Sequence, residues 1–444
     1  MKSFEKLFFY SLIFSIPFQT RIFLYSEGVF DGFNEWQSMF LYGTDILVGL
    51  LFLCWMPRFL KTINFKFNPT FILLFIILIF AGISIYFAPY INIGIYRFIK
   101  LLEFIWLFFY SIRAFKSEDT IRVKFSGVAI AFGLSGLAQG VVAFWQFLIQ
   151  NSLGLKYLGE SPLHAGIEEV AEIVANGARF IRAYGTFPSP NVLAAFLAVS
   201  ILFTITWYIS RPYRLHRHFF FTAISLIFMG LGLFLTFSRA VIGVFAVCLF
   251  LYFFLLFFSR KFEYRFKIAG FHLFLIFLFV GLIFGAIYAP EFYSRFVTNI
   301  FELRDLSIVE RGFWTSLGAE TIFANPMGIG AGNFVLYFNK IYPGLRVSLY
   351  QPIHNIFLLI FAELGVVAGL AFVIFILKLF YKAFHNLFKN ISPKPEHLFA
   401  VSLVLLFVGT GFFDHYYLTL QQGGLLLWTS LAVIYYINTA DKIR

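Results

Sequence analysis

The stretch NIFLLIFAELGVVAGLAFVIFILKLF, residues 355–380, is an apolar run that is long enough to cross a bilayer, and it directly follows His354. About 20 predominantly apolar residues suffice for a membrane-spanning helix. Runs of this kind recur along the whole chain, so the sequence predicts an all-α polytopic membrane protein with about twelve transmembrane helices. The runs fall near residues 6–20, 40–57, 69–87, 91–112, 125–150, 191–210, 218–236, 240–259, 268–288, 355–380, 397–413 and 421–437.

The composition agrees with this fold class. Of the 444 residues, 60% are hydrophobic and 13% are charged, whereas soluble globular domains carry about 25% charged residues. We identify no separate soluble domain and expect residues 1–444 to form a single integral membrane domain. The first run follows MKSFEK and lacks the cleavage pattern of a signal peptide, so we expect it to be an uncleaved span. Cys54 and Cys248 lie inside predicted spans, which indicates neither a disulfide framework nor a cysteine metal site.

The net charge of +12 reflects membrane topology rather than nucleic-acid binding. Most of the 34 Lys and Arg residues fall in alternate short loops on the side that holds the N-terminus. This positive-inside bias predicts that both termini are cytoplasmic. The outer loops carry mainly Arg, whose planar guanidinium binds phosphate bidentately. The outer arginines are Arg21, Arg179, Arg182, Arg239, Arg295, Arg304, Arg311 and Arg346.

Two long outer loops indicate that the chemistry takes place on the outer face. Residues 151–190 and 289–354 exceed the usual length of connections, and such loops are usually functional or disordered. Both are aromatic as well as charged, which disfavours disorder. The second loop, between spans nine and ten, contains a predicted helix at EFYSRFVTNIFEL, residues 291–303.

A second, amphipathic helix is predicted in the same outer loop, from about Arg311 to Pro326. Trp314 lies on its apolar face, which is typical of a helix in the membrane interface. The run GIGAGN at 328–333 follows and supplies glycines for tight backbone turns.

Three arginines are the candidate anion-binding residues. Arg239 lies in a short outer loop, where a charge close to hydrocarbon marks a functional site, although it could instead reach lipid phosphate. Arg311 begins the amphipathic helix, where the free backbone N–H groups of the first turn would complete a diphosphate site. The alternative for Arg311 is a surface pair with Glu310 or Glu302. Arg182 precedes the turn YGTFPSPN, in which Asn191 can cap the next helix; a solvated Arg at this helix entry is the alternative.

His354 is the candidate base. The unperturbed pKa of histidine is near neutrality, and at the outer surface His354 could accept a proton from a sugar hydroxyl. The alternative is an ordinary helix start in which Asn355 is the cap. Asp414 and His415, in the last short outer loop, form a reserve acid–base pair. Glu363 lies about 13 Å deeper and half a turn out of phase with His354, which favours a structural hydrogen bond to a neighbouring span.

Arg97, Lys100 and Glu103 lie on one face of span four, which must face the helix bundle. Mutual neutralisation explains Lys100 and Glu103, whereas Arg97 lies nearest the outer surface and could join the anion site. The sequence contains no P-loop and no Asp-x-Asp pair on an outer loop, so we expect neither an ATP site nor a divalent-metal site.

Four stretches, in order, resemble the O-antigen ligase and polymerase family of bacterial surface-glycan assembly. The resemblance covers the second half of the chain, with a ligase-like core at about 180–380, and it implies a GT-C-like membrane glycosyltransferase architecture. The four stretches are RAYGTFPSPNVLAAFLA at 182–198, TFSRAVIG at 236–243, RGFWTSLGAETIFANPMGIGAGNF at 311–334 and HNIFLLIFAELGVVAGL at 354–370.

The resemblance implies transfer of a glycan from a polyprenyl-diphosphate carrier, such as undecaprenyl diphosphate, on the outer side of the bacterial inner membrane. By this resemblance, Arg239 and Arg311 match the arginines that hold the diphosphate. We expect Arg182 to contribute to the same diphosphate site. His354 matches the residue that activates the acceptor hydroxyl, with neither metal nor nucleotide. The acceptor would be lipid A core in lipopolysaccharide biosynthesis, a growing polysaccharide, or a protein. The alternatives are a transporter of a bicarbonate-like anion or a lipid-linked glycan, and a scaffold of a glycan-assembly complex.

Overall fold

The structure is a computed structural model that describes residues 2–59, 68–116, 121–164, 166–167, 170–175, 177–211, 215–295 and 306–440. The described part of the chain is mainly helical. In chain order the helices are α1 (Lys2–Ser15), α2 (Gly43–Phe59), α3 (Pro69–Ser84), α4 (Ile91–Lys116), α5 (Phe125–Ile149), α6 (Pro190–Ile209), α7 (Leu215–Leu235), α8 (Arg239–Phe258), α9 (Tyr264–Ile287), α10 (Ala289–Tyr293), α11 (Leu306–Ala324), α12 (Phe334–Ile341), α13 (Ile356–Leu364), α14 (Val366–Lys389), α15 (Pro395–Gly411), α16 (Tyr416–Thr419) and α17 (Gln421–Ala440).

Each apolar run predicted from the sequence overlaps a helix, which confirms a polytopic helical membrane protein. Eight of the described helices are long and apolar enough to span a membrane: α3 together with the 3₁₀ turn that extends it to Phe87, α5, α6, α7, α8, α9, α14 and α17. The other four predicted spans fall on α1, α2 and α15, which have 14, 17 and 17 residues, and on the more highly charged α4. The number of twelve spans therefore stays a prediction.

The membrane orientation also stays a prediction. It depends in part on basic residues in segments 60–67 and 212–214 and at 441–444, which lie outside the described residues. Arg304 and the second half of the helix predicted at 291–303 lie outside them as well.

Two β-hairpins correct the expectation of a purely α-helical chain. Strand β1 (Arg21–Ser26) pairs antiparallel with β2 (Ser38–Tyr42), and β3 (Glu172–Ala175) pairs antiparallel with β4 (Ala178–Ile181). Both hairpins lie in loops between long helices. Because polar backbone groups need partners where a loop packs on protein, pairing two short strands satisfies them locally.

Helix α6 is the central element, and it is buried along almost its whole length. Ser189 is its N-cap, with its hydroxyl accepting a hydrogen bond from the Asn191 N–H at 3.3 Å, and Pro190 occupies the first turn. The prediction that Asn191 caps this helix is therefore wrong, because Ser189 occupies that position. Close packing around the centre depends on small residues: a Cβ on Gly140 of α5 would lie 2.6 Å from the Phe228 carbonyl oxygen of α7.

Span ten, predicted as one helix over 355–380, is divided into α13 and α14 at Gly365. The backbone of Gly365 has a φ of 89°, which favours glycine, and a Cβ there would lie 2.7 Å from the Met327 carbonyl carbon. The glycine-rich run at 328–333 thus packs directly against the break. Glu363 accepts hydrogen bonds from the N–H groups of Gly332 at 2.8 Å and Phe334 at 3.3 Å. Its partner is therefore this loop, and not a neighbouring span as predicted.

Helix α11 contains the predicted amphipathic segment, but its Trp314 does not face lipid. Trp314 is 3% exposed, and its ring contacts Phe338 edge-on with 4.6 Å between ring centroids. Phe313 and Phe323 are instead the exposed aromatic residues of this helix. The expectation that Trp314 anchors the helix in the membrane interface is therefore wrong, because α12 covers that face.

Candidate functional site

His354, Asp414 and His415 meet where the N-terminal end of α13 lies near the C-terminal end of α15. Their nitrogen and carboxylate oxygen atoms lie within 4.8 Å of one another, and the two imidazole ring centroids are 5.0 Å apart. The Asn355 side chain accepts from the N–H groups of Phe357 and Leu358, so it caps α13 and fixes the chain directly after His354. The structure thus joins the candidate base to the reserve acid–base pair, which sequence analysis kept separate.

The environment of this triad favours two neutral imidazoles beside an ionised carboxylate. Burial lowers the pKa of His354, with Asp414 raising it in part and Arg311 lowering it further. Burial likewise lowers the pKa of His415, to about 3. Burial alone would raise the pKa of Asp414, but His415, His354 and Arg311 lower it more, so the net shift is downward. A neutral imidazole can accept a proton, and an adjacent carboxylate stabilises the resulting cation.

Asn191 connects this triad to the arginines. Its Nδ2 donates to Asp414 Oδ2 at 3.0 Å, while its Oδ1 accepts from Ser238 Oγ at 2.9 Å and from Arg182 Nη2 at 3.0 Å. One amide therefore bridges α6, the start of α8 and the loop after α15. This role of Asn191, the last residue of the turn YGTFPSPN, was not predicted, because nothing in the local sequence reveals a partner 223 positions away.

Arg182 is a buried member of an arginine cluster. Its Nε donates to the Thr236 carbonyl oxygen at 2.6 Å. Burial lowers the pKa of Arg182 to about 9, and the charges of Arg295, Arg239 and Arg311 contribute to the lowering. The guanidinium remains protonated at neutral pH. We define the arginine cluster as Arg182, Arg239, Arg295 and Arg311; its members come from four separate segments of the chain.

Arg295 is the member of the cluster that sequence analysis did not select. It follows α10, and its carbonyl oxygen accepts a hydrogen bond from Arg239 Nη1 at 3.3 Å. Arg239 is the first residue of α8. The available signal was only that Arg295 is one of the arginines that the sequence predicts to lie in outer loops, here the long second loop.

Arg311 lies in the middle of a helix and not at its start. Helix α11 begins at Leu306, so Arg311 is beyond the first turn. The prediction that the free N–H groups of the first turn adjoin the Arg311 guanidinium is therefore wrong. Within the described residues Arg311 and Glu310 form no ion pair, and Glu302 lies outside the described residues. The half-buried guanidinium instead acts on the triad, since its charge lowers the pKa of both histidines.

Arg97 does not join the arginine cluster. Its Nη1 donates to the Thr419 carbonyl oxygen at 2.7 Å, and the Thr419 hydroxyl is 2.8 Å from His415 Nδ1. Arg97 is therefore connected to the triad residue His415 through Thr419. Lys100, on the same helix, pairs with Glu103 at 3.4 Å as expected and also with Asp45, which sequence analysis did not identify.

The triad is also composed of residue types that bind transition metals. The net positive charge of the arginine cluster, and of Arg311 in particular, opposes a cation at this position. The same positive charge favours an anionic ligand such as a phosphate. The expectation of a metal-independent site stays a prediction.

Residues 224–373 match the family model for O-antigen ligase. This segment, less than half of the chain, runs from α7 into α14 and contains Arg239, Arg311 and His354. A comparison with curated proteins finds no match. With the apolar helices, the family match indicates a multi-pass bacterial membrane protein that transfers glycans, with a lipid-linked glycan and a glycan acceptor as its substrates at the level of the family. The match supports the assignment of the chain to the O-antigen ligase/polymerase family.

Proposed function

We propose that the protein transfers a glycan from a polyprenyl-diphosphate carrier to an acceptor hydroxyl on the outer side of the bacterial inner membrane. The observation that carries this proposal is the physical connection between a proton acceptor and an anion site. The carboxylate of Asp414 contacts the histidines on one side and, through Asn191, Arg182 on the other. Acceptor activation and leaving-group stabilisation need this proximity.

The arginine cluster is the proposed diphosphate site. Arg239 and Arg311 are half-buried, whereas Arg182 is buried with its Nε and Nη2 hydrogen-bonded to Thr236 and Asn191. Arg182 is therefore a positioning residue that adds positive potential to the site. Preorganised guanidinium groups stabilise the charge that develops on the diphosphate as the glycosidic bond breaks.

His354 is the proposed general base. Its Nδ1 is buried and has no hydrogen-bond partner among the described residues, so this nitrogen is not committed to another group of the protein. The acceptor oxygen bonds to the anomeric carbon, its proton passes to His354, and the bond from the anomeric carbon to the diphosphate oxygen breaks. The electron pair of that bond leaves with the polyprenyl diphosphate. Asp414 stabilises the histidinium, and a single in-line attack would invert the anomeric centre.

We extend the proposal to the architecture: residues 1–444 form one GT-C-like membrane domain, with a ligase-like core at 180–380, both termini in the cytoplasm and the active face outward. It predicts no nucleic-acid partner and no cofactor. A transporter of a bicarbonate-like anion or of a lipid-linked glycan is the alternative. The arrangement of an acid–base triad beside the arginine cluster favours transfer chemistry.

The test is product analysis with the full-length protein in lipid nanodiscs. Undecaprenyl-diphosphate oligosaccharide is supplied with or without a lipid A-core acceptor, and the products are separated on a gel. A ladder from donor alone means polymerase, and one shift that requires acceptor means ligase. The variant His354→Ala should form neither product, whereas the control His385→Ala, outside the site, should match the wild type. Equal transfer by His354→Ala would refute the assigned role.

A further inference from the structure

A separate pocket lies beside the triad and is not lined by any member of the arginine cluster. It is partly open to solvent, so a ligand can enter it. It lies between the first hairpin, α4, the glycine-rich loop and the start of α17. The proposed reaction gives this pocket no role.

Aromatic rings form much of the wall of this pocket. Trp36 comes from the loop of the first hairpin, Tyr42 from β2, Tyr96 from α4 and Trp428 from α17. Aromatic faces pack against apolar C–H groups while their polar edges stay available for hydrogen bonds. Sugar rings present such C–H faces together with hydroxyl groups, so a wall of this composition suits a carbohydrate.

Two polar atoms of pocket-lining residues are buried without a hydrogen-bond partner among the described residues. They are Arg97 Nε, a donor, and Gln421 Oε1, an acceptor. Gln421 is only 4% exposed, so its unpaired oxygen is an exception that requires an explanation. A hydroxyl group both donates and accepts, and can therefore satisfy either atom.

The charges around the pocket are largely compensated, which favours a neutral ligand. Lys100 pairs with Asp45 and Glu103, and Glu363 accepts two backbone N–H groups while it lines the pocket together with Arg97. No cluster of like charge faces the cavity in the described part of the chain. This contrasts with the arginine cluster, where four positive charges are collected.

The pocket adjoins the triad. The Trp36 ring contacts the His415 ring edge-on with 5.5 Å between centroids. Pro352, which lines the pocket, lies two residues before His354, and Thr419, which also lines it, contacts His415 Nδ1. A ligand bound in the pocket would extend toward His354, the proposed base. The donor diphosphate would bind separately, at the arginine cluster.

From these contacts we infer that the pocket binds a neutral sugar unit of the acceptor glycan, next to the unit whose hydroxyl reacts. The assignment of the bound sugar to the acceptor glycan rests on the proposed function. The recognition itself rests on the aromatic wall and on the two unpaired polar atoms. Trp36 supplies the stacking face nearest the triad, and Gln421 supplies the buried hydrogen-bond acceptor.

The test is a binding measurement that needs no donor. The probe is oligosaccharide released by mild acid from the cell's own surface glycan, added to full-length protein in nanodiscs. Saturation-transfer NMR, with saturation of aromatic resonances, reports its affinity. We expect Trp36→Leu and Gln421→Leu each to weaken binding about tenfold, as expected for the loss of one stacking or hydrogen-bonding partner.

Two variants serve as matched controls. Trp145→Leu removes a half-exposed tryptophan of α5, and Gln422→Leu removes the buried neighbour of Gln421; neither residue lines the pocket. Both should bind the oligosaccharide like the wild type. Trp36→Phe keeps a ring and should retain most of the affinity, which covers the case in which Trp36→Leu misfolds. Equal affinity in wild type, Trp36→Leu and Gln421→Leu would overturn the inference, as would no binding to the wild type.

Transfer kinetics separate this inference from the proposed function. In Trp36→Leu and Gln421→Leu the KM for acceptor should rise about tenfold while the KM for the lipid-linked donor stays unchanged. If transfer occurs but the acceptor KM is unaffected, the pocket assignment alone fails. If the oligosaccharide binds through Trp36 but no transfer occurs from the polyprenyl-diphosphate donor, the proposed reaction fails and the glycan pocket stands.

Discussion

Asp414→Asn isolates the charge of the triad carboxylate with little change in shape. The Asp414 carboxylate lies within 4.8 Å of His354, so at an effective dielectric of about 20 it stabilises a histidinium by about 3 kcal/mol. If this stabilisation is available only once His354 has taken the proton, its loss lowers kcat about a hundredfold. The hydrogen bond from Asn191 can persist, because an asparagine oxygen still accepts it.

The pH dependence of Asp414→Asn has a defined sign. Transfer requires neutral His354, so the rate rises as pH increases through the pKa of this residue. The Asp414 charge raises the pKa of His354, against the larger lowering effect of burial. Its removal therefore shifts the acid limb of the rate profile to lower pH, while the plateau itself falls.

The assay measures initial rates of glycan transfer with saturating lipid-linked oligosaccharide and acceptor. The rates are measured between about pH 4 and pH 9, in steps of about 1 pH unit. Asp31→Asn, an exposed position in the first hairpin, is the matched control and should follow the wild-type profile. A variant Asp414→Asn with more than half of the wild-type kcat and an unshifted acid limb would refute the role of this carboxylate.

Three other predictions concern the arginine cluster, its connection and its chemistry. Arg239→Lys keeps the charge but loses the planar fork, so the donor-dependent kcat/KM should fall at least about tenfold, whereas exposed Arg346→Lys should not change it; equal values for both variants would contradict a bidentate contact. Asn191→Leu removes one buried hydrogen-bond partner from each of Asp414 and Arg182, and should cost about 2–3 kcal/mol of stability, measured as a lower melting temperature in nanodiscs. An unchanged melting temperature would show that the bridge is not structural. A chelator such as EDTA should leave initial transfer rates unchanged, and a loss that is restored by added zinc or magnesium would instead assign a metal to the triad.

The helical fold was predictable because apolar runs of spanning length report directly on membrane helices. The break at Gly365 was not, because its cause is the backbone at Met327, which approaches too closely for a side chain. The surroundings of Trp314 were also not predictable, because an apolar helix face can be covered either by lipid or by protein. The sequence of α11 is the same in either case, and only the position of α12 decides it.

For the candidate site, residue type and position selected Arg239 and Arg311, and the family resemblance selected His354. Neither could place Asp414 against His354, because the two are brought together only by the packing of α13 beside the turn after α15. The bridging role of Asn191 was hidden for the same reason. A local helix-capping role explained that residue equally well until its contacts with Arg182 and Asp414 were visible.

The most direct test of glycan transfer from a polyprenyl diphosphate is to measure both products of one reaction. Full-length protein receives donor labelled in the lipid and in the glycan, and the free polyprenyl diphosphate and the glycan linked to acceptor are quantified together. The proposed reaction predicts that the two form in equal amounts and that both disappear in His354→Ala. Release of carrier without glycan linkage, or glycan linkage unchanged in His354→Ala, would contradict it.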